Sequence, residues 1–231
     1  MRRWGRSGIM LFSLVVLPCL AFAGPAFDIV KSNASNVLDV LGDPKLQGEA
    51  GKKAKEQKIE AAADKLFDFV ELSKRTLGLN WNKFNQGQRK EFVALYRKIL
   101  KDTYIDKITS YTNEQVTFTK EMPLSENTVE VQSMVKAKKG DVAINYRVIK
   151  KGEDWKVYDV VVEGVSLINN YRTQFREILG NNPPEKLLET LRRKSGKSES
   201  MLMQAHRLVA REKLIALHFL GKYRGRLYEG D

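Results

Sequence analysis

The chain has 231 residues, 42% of them apolar, and carries 40 Lys and Arg against 28 Asp and Glu, a formal charge of +12. That is enough apolar content to build one large domain or two small ones. A single cysteine, Cys19, and two histidines, His206 and His218, exclude a disulfide framework within the chain and leave little for histidine chemistry.

Arg2, Arg3 and Arg6 precede an apolar run at residues 9–17, then Pro18 and Ala21-Phe22-Ala23. This is the order of a secretory signal peptide, and the apolar run is too short to span a bilayer. Cleavage is expected after Ala23, which removes Cys19 and with it any thiol nucleophile or thiolate metal site. A lipoprotein reading of Cys19 fits poorly because Pro18 stands directly before it, and the residues after Arg2-Arg3 do not support a twin-arginine signal. The expected compartment is the bacterial periplasm.

Residues 1–23 hold three of the positive charges, and residues 195–231 hold seven Lys and Arg against four Asp and Glu, which leaves +6 between them. Lys52, Lys53, Lys55, Lys58, Lys136, Lys138, Lys139, Lys150 and Lys151 are scattered over expected helix faces and turns. They read first as solvated faces, with attraction to anionic headgroups or an acidic partner as the alternative. Nucleic acid is not an expected partner.

Three expected organisational units follow: a signal peptide at 1–23, a domain at 24–194, and a basic extension at 195–231, helical or disordered. The domain opens with a helix near Pro25, with apolar Phe27, Ile29, Val30, Val37, Leu38 and Leu41, ended by Gly42-Asp43-Pro44. A second helical stretch runs from the charged residues 52–58 through Leu66, Phe67, Phe69, Val70 and Leu72 to Leu77-Gly78, and Asn80-Trp81-Asn82 reads as a loop with a buried aromatic. The third helix has Asn85 and Gln88 in capping-box positions and a broad face of Phe92, Leu95, Tyr96, Ile99, Leu100, Thr103 and Tyr104.

Strand-like segments come next, with alternating Val116 and Phe118, a break at Met122-Pro123, then Val129 and Val131 with an irregularity before Met134. After a turn at Lys139-Gly140-Asp141 come Val142, Ile144, Tyr146 and Val148, and a second turn at 151–154 leads to Trp155. Successive hairpins predict an antiparallel meander of about four strands covered by helices, an α+β layer with an apolar cavity between sheet and helices.

The stretch 155–175, WKVYDVVVEGVSLINNYRTQF, reads as a strand passing through a turn into a helix. Strict alternation puts Val157 and Val161 on one face and Tyr158, Val160 and Val162 on the other; with both faces apolar the strand is expected to be central. Glu163, Gly164 and Ser166 form the structural turn, with Ser166 as helix cap. Leu167, Ile168, Tyr171, Phe175, Ile178 and Leu179 face inward to Gly180, and Pro183-Pro184 starts a last helix through Leu187, Leu188 and Leu191. Met201 to Leu220 can form a basic amphipathic helix.

Both histidines lie beyond residue 195, so a Ser-His-Asp triad is not supported, and no metal-ligand spacing or phosphate-binding glycine loop is present. Asp159 beside Tyr104 or Tyr158 leaves open an acid-base pair of the kind used by cone-shaped α+β isomerases. The other role for Asp159 is a hydrogen bond to a nearby turn or helix N-terminus. An apolar space for an acyl chain is a third possibility, which periodicity alone does not separate from a solid core.

The motifs LGLNW at 77–81, QRKEF at 88–92, LKDTY at 100–104, YTNEQVTF at 111–118, and above all 155–175 with its EGVS turn resemble the toluene-tolerance family. These are periplasmic phospholipid-carrying components of the Mla (maintenance of lipid asymmetry) ABC transport system. The resemblance spans about 25–194 and implies a monomeric shuttle that exchanges phospholipid with an inner-membrane ABC transporter complex and an outer-membrane lipoprotein-porin complex. It implies no cofactor, no metal and no catalytic residue. Phe92, Tyr96 and Tyr104 match aromatic positions of the family's long helix and Tyr158 an aromatic strand position. With Ile99, Val160 and Val162 they are the candidate lipid-binding residues. A ligand-free periplasmic interaction protein and the isomerase-like enzyme stay as alternatives.

Overall fold

A computed structural model describes residues 24–111, 115–137 and 140–195. The expected signal peptide and the basic extension after Ser195 lie outside the described residues. The domain places six helices and a five-stranded antiparallel sheet in the order α1 (Pro25–Gly42), α2 (Gly48–Leu66), α3 (Phe69–Leu77), α4 (Gln86–Thr109), β1 (Gln115–Ser125), β2 (Thr128–Ala137), β3 (Gly140–Lys151), β4 (Asp154–Val162), β5 (Val165–Ser166), α5 (Leu167–Gly180) and α6 (Pro184–Ser195). The sheet order is β1-β2-β3-β4-β5, every neighbour antiparallel, so the expected meander holds with one short strand added.

The single helical stretch expected up to Leu77 is two helices. Phe67 is extended and bridges Val157 of β4, and the Asp68 N–H donates to the Val157 carbonyl at 2.9 Å. Asp68 then caps α3 by accepting the Glu71 N–H at 2.8 Å. An aspartate that accepts from the third residue onward starts a helix, and the chain is pinned to the sheet between the two. Residues 78–83 form a 3-10 turn rather than a loop, with Trp81 half-buried under the Arg89 guanidinium, 5.3 Å from the ring centroid.

Helix α4 begins with the capping box anticipated at Asn85 and Gln88, both reciprocal bonds being present. Charged α2 lies against it through Arg97, whose guanidinium meets Asp64 at 2.6 Å and Glu60 at 3.0 Å.

Two apolar clusters divide the interior. One is helical: Leu72 and Leu77 of α3, Phe92, Tyr96, Ile99 and Leu100 of α4, Ile168, Tyr171, Phe175 and Leu179 of α5, and Leu187, Leu188 and Leu191 of α6. The other joins α1 to the sheet, with Ala26, Val30 and Leu66 set on Val129, Val131, Val148 and Val157.

Strand β1 does not break at Met122-Pro123 but runs through it, with Pro123 opposite Val129. It is an edge strand, and proline's missing N–H is tolerated on an edge. The irregularity expected in β2 falls instead in β1, where the register shifts between Phe118 and Lys120 and between Pro123 and Ser125.

Strand β4 is not central. Among the described residues, its far side meets the Phe67 bridge and two-residue β5. Nor does it alternate strictly: Arg147 pairs with Asp159 and Val148 with Val157, leaving Tyr158 as an extra residue in a β-bulge. The bulge inverts the parity, so Val157, Val160 and Val162 share one face and Asp159 and Val161 the other, while Tyr158 turns to the helical cluster.

Candidate functional site

The face of the sheet that packs on α1 can be followed by register, because residues directly opposed in antiparallel strands point the same way. One row runs Glu121, Val131, Tyr146 and Val160; the next runs Phe118, Ser133, Ile144 and Val162; a third runs Val116, Val135 and Val142. Near the β1-β2 turn this face is sealed, since Val129, Val131, Val148 and Val157 are buried under α1 and Leu66. Toward the other end Val116, Phe118, Val142, Ile144, Tyr146 and Val160 are only half-covered, and Val162 and Val165 are 41% and 42% exposed. The wall is therefore closed at one end and only partly covered at the other, where Ser133 and Val135 stay buried between half-covered neighbours.

Phe27 of α1 meets Phe118 edge-on with centroids 6.0 Å apart, and Phe118 stacks on Tyr146 at 6.3 Å. Burial pushes the Tyr146 phenol up to about 12, a hydrogen bond to Ser133 opposing this and Tyr111, just past the end of α4, adding to it. On α4, Tyr104 is half-buried and its phenol is raised by burial and then by Tyr171. Both tyrosines are neutral near pH 7; Tyr146 stands on the sheet wall, while Tyr104 packs at the edge of the helical cluster.

The structure does not bring all the nominated residues together. Phe92, Tyr96 and Ile99 are buried in the helical cluster: the Phe92 ring is 5.8 Å from Phe84, 5.5 Å from Tyr96 and 5.7 Å from Phe175. Tyr96 packs edge-on to Tyr171 at 5.1 Å, and burial drives its phenol well above the ordinary range, with the Thr76 bond opposing. Tyr158 lies beneath the Arg75 guanidinium, 4.1 Å from its centroid. Val160 and Val162 are on the half-covered wall. Phe118, Ile144 and Tyr146 were legible as alternating strand residues, but only the register shows that they share that wall.

The turn after β4 has positive φ at both central residues, 50° at Glu163 and 80° at Gly164. Glu163 tolerates this because its N–H donates to the Ala143 carbonyl at 2.9 Å and its carboxylate accepts the Ala143 N–H at 2.5 Å. Left-handed backbone costs a side-chain-bearing residue roughly 1–2 kcal/mol. Gly164→Val is accordingly expected to lower unfolding free energy by about that amount, read from the urea midpoint at unchanged slope.

Ser166 caps α5 by accepting the Asn169 N–H at 3.1 Å, and its hydroxyl donates to Asp159 Oδ2 at 2.6 Å. Asp159, 1% exposed, also accepts the Ile168 N–H on Oδ1 at 3.0 Å and Arg147 Nη1 on Oδ2 at 3.3 Å. Both carboxylate oxygens are thus engaged in fixing the strand-to-helix joint, which is the helix-terminus role and not an acid-base pairing with Tyr104 or Tyr158. Among the described residues, no three His, Cys, Asp or Glu side chains group as a metal site. No described helix is long and apolar enough to cross a membrane.

These features define an α+β protein whose antiparallel sheet carries a partly uncovered apolar face. The fold is that of a solved phospholipid-binding protein from Ralstonia solanacearum in complex with a phospholipid, with a TM-score of 0.67 and 24% identity over 76% of this chain and 99% of that one. The MlaC protein family model matches residues 31–193, and the chain belongs to the MlaC family. The intermembrane phospholipid transport system binding protein MlaC of Haemophilus influenzae is 25% identical over 101 residues, 42% of this chain. That match spans about half of the relative's length, 47%.

Proposed function

We propose that the protein is a periplasmic phospholipid carrier that takes acyl chains onto the half-covered sheet face and shuttles lipid between inner and outer membranes. The observation that carries this reading is the change along one face from fully buried valines under α1 to half-exposed Phe118, Ile144, Tyr146 and Val160. Each methylene removed from water contributes about 0.8 kcal/mol, so ten of them on a dry wall contribute about 8 kcal/mol without any covalent chemistry. Family membership and the phospholipid in the Ralstonia solanacearum protein support the ligand class.

In this reading Val160, Val162 and Tyr104, joined by Phe118, Ile144 and Tyr146, face the lipid. Phe92, Tyr96, Ile99 and Tyr158 hold the helical layer behind them. The headgroup stays toward the exposed end near Val162 and Val165. The carrier works as a monomer without cofactor or catalysis, and exchanges lipid with an inner-membrane ABC transporter complex and an outer-membrane lipoprotein-porin complex.

Mass spectrometry of an organic extract of the protein, purified from a bacterial periplasm, is expected to show about one phospholipid per chain. A lipid-free extract from well-folded protein would refute the carrier reading and favour a ligand-free interaction protein.

A further inference from the structure

The first turn of α1 has a feature that lipid binding does not use. Gly24, the residue at its N-cap, has no side chain to accept a helix N–H. Glu121 reaches across from β1 instead, its Oε2 accepting the Phe27 N–H at 2.8 Å. Its Oε1 lies close against the position a Cβ on residue 24 would take, with the carboxyl carbon 2.9 Å from that position. A side chain at residue 24 would make the Glu121 carboxylate shift from this position.

The Gly24 nitrogen is two bonds from the same position, so covalent geometry alone puts it within about 5 Å of the carboxylate. Opposite charges at that range stabilise each other. Gly24 is also the residue that follows Ala21-Phe22-Ala23, the cleavage motif.

We propose that Glu121 is a receptor for the α-ammonium group created at Gly24 when the leader is cut after Ala23. A bare ammonium at a helix N-terminus faces the positive end of the helix dipole, which is unfavourable. A carboxylate already bonded to that turn reverses the sign of the interaction. While residues 1–23 remain attached the Gly24 nitrogen is a neutral amide, so the ion pair forms only on processing. It then pins α1, the helix that covers the sealed end of the sheet face, to strand β1. This inference rests on export and is independent of what the sheet face binds.

Intact-mass measurement of the exported protein is expected to give a chain beginning at Gly24; a chain beginning anywhere else overturns the proposal. Melting temperatures are then compared for four proteins: the chain from Gly24 and the chain retaining Ala23, each with Glu121 and with Glu121→Gln. Glutamine can still accept the Phe27 N–H, so the substitution isolates charge. The retained alanine is expected to lower Tm by about 2–4 °C with Glu121 and by less than about 1 °C with glutamine. An equal loss in both backgrounds overturns the proposal.

Discussion

Val160→Asp is expected to strip the protein of phospholipid while leaving it folded. Val160 sits opposite Tyr146 on the half-covered face, so a carboxylate there reaches water through the open end in the empty protein. A bound acyl chain would cover it, and covering an unpaired polar or charged group costs about 3 kcal/mol, roughly a hundredfold in affinity. Co-purified lipid measured by mass spectrometry is the readout, with circular dichroism to verify the fold. The same replacement at Val70, which is 56% exposed on α3, is expected to leave occupancy unchanged. Ile99→Asp gives a different phenotype, loss of the fold itself, because Ile99 is buried in the helical cluster. Equal lipid content in the Val160 and Val70 variants would place the acyl chains elsewhere.

Asp159→Ala is expected to be the most destabilising single polar change. It removes the acceptor for the Ser166 hydroxyl and for the Ile168 N–H, both in buried surroundings, and leaves Arg147 with Glu130 alone as its carboxylate. Leaving a buried donor unsatisfied costs about 1–3 kcal/mol, so the two together cost about 3–5 kcal/mol, or roughly 10 °C in Tm for a domain of this size. Asp159→Asn, which keeps the shape and one acceptor, should cost about half as much. Thermal unfolding separates the two. A Tm within a degree of the parent for the alanine variant would mean that the joint is held by packing alone.

Much of this architecture is legible in the residues because local signals and tertiary needs agree. The Asn85-Gln88 capping box, the Ser166 cap, the Glu163-Gly164 turn and the period-two valines of the sheet each state their own conformation. The departures arise where the deciding partner is distant in sequence. Phe67 and Asp68 look helical until Val157 draws their backbone onto the sheet, and Pro123 looks like a strand end until the strand proves to be an edge. The candidate site suffered most from Tyr158. One bulged residue moved Val160 and Val162 onto the face of Val157, and parity cannot reveal a bulge. The aromatic residues of α4 were conspicuous by spacing, but the same spacing serves a helical core, where Phe92 and Tyr96 lie.

The irregular edge strand has a consequence for the protein's life before and after folding. An unpaired strand edge is a template for pairing with another chain, and this one exposes Met122 and Leu124 beside it. Its two register shifts and Pro123 interrupt the row of donors and acceptors that an incoming strand would need. Those interruptions disfavour strand-to-strand pairing along β1, a safeguard against aggregation in a protein whose sheet also carries a partly uncovered apolar face.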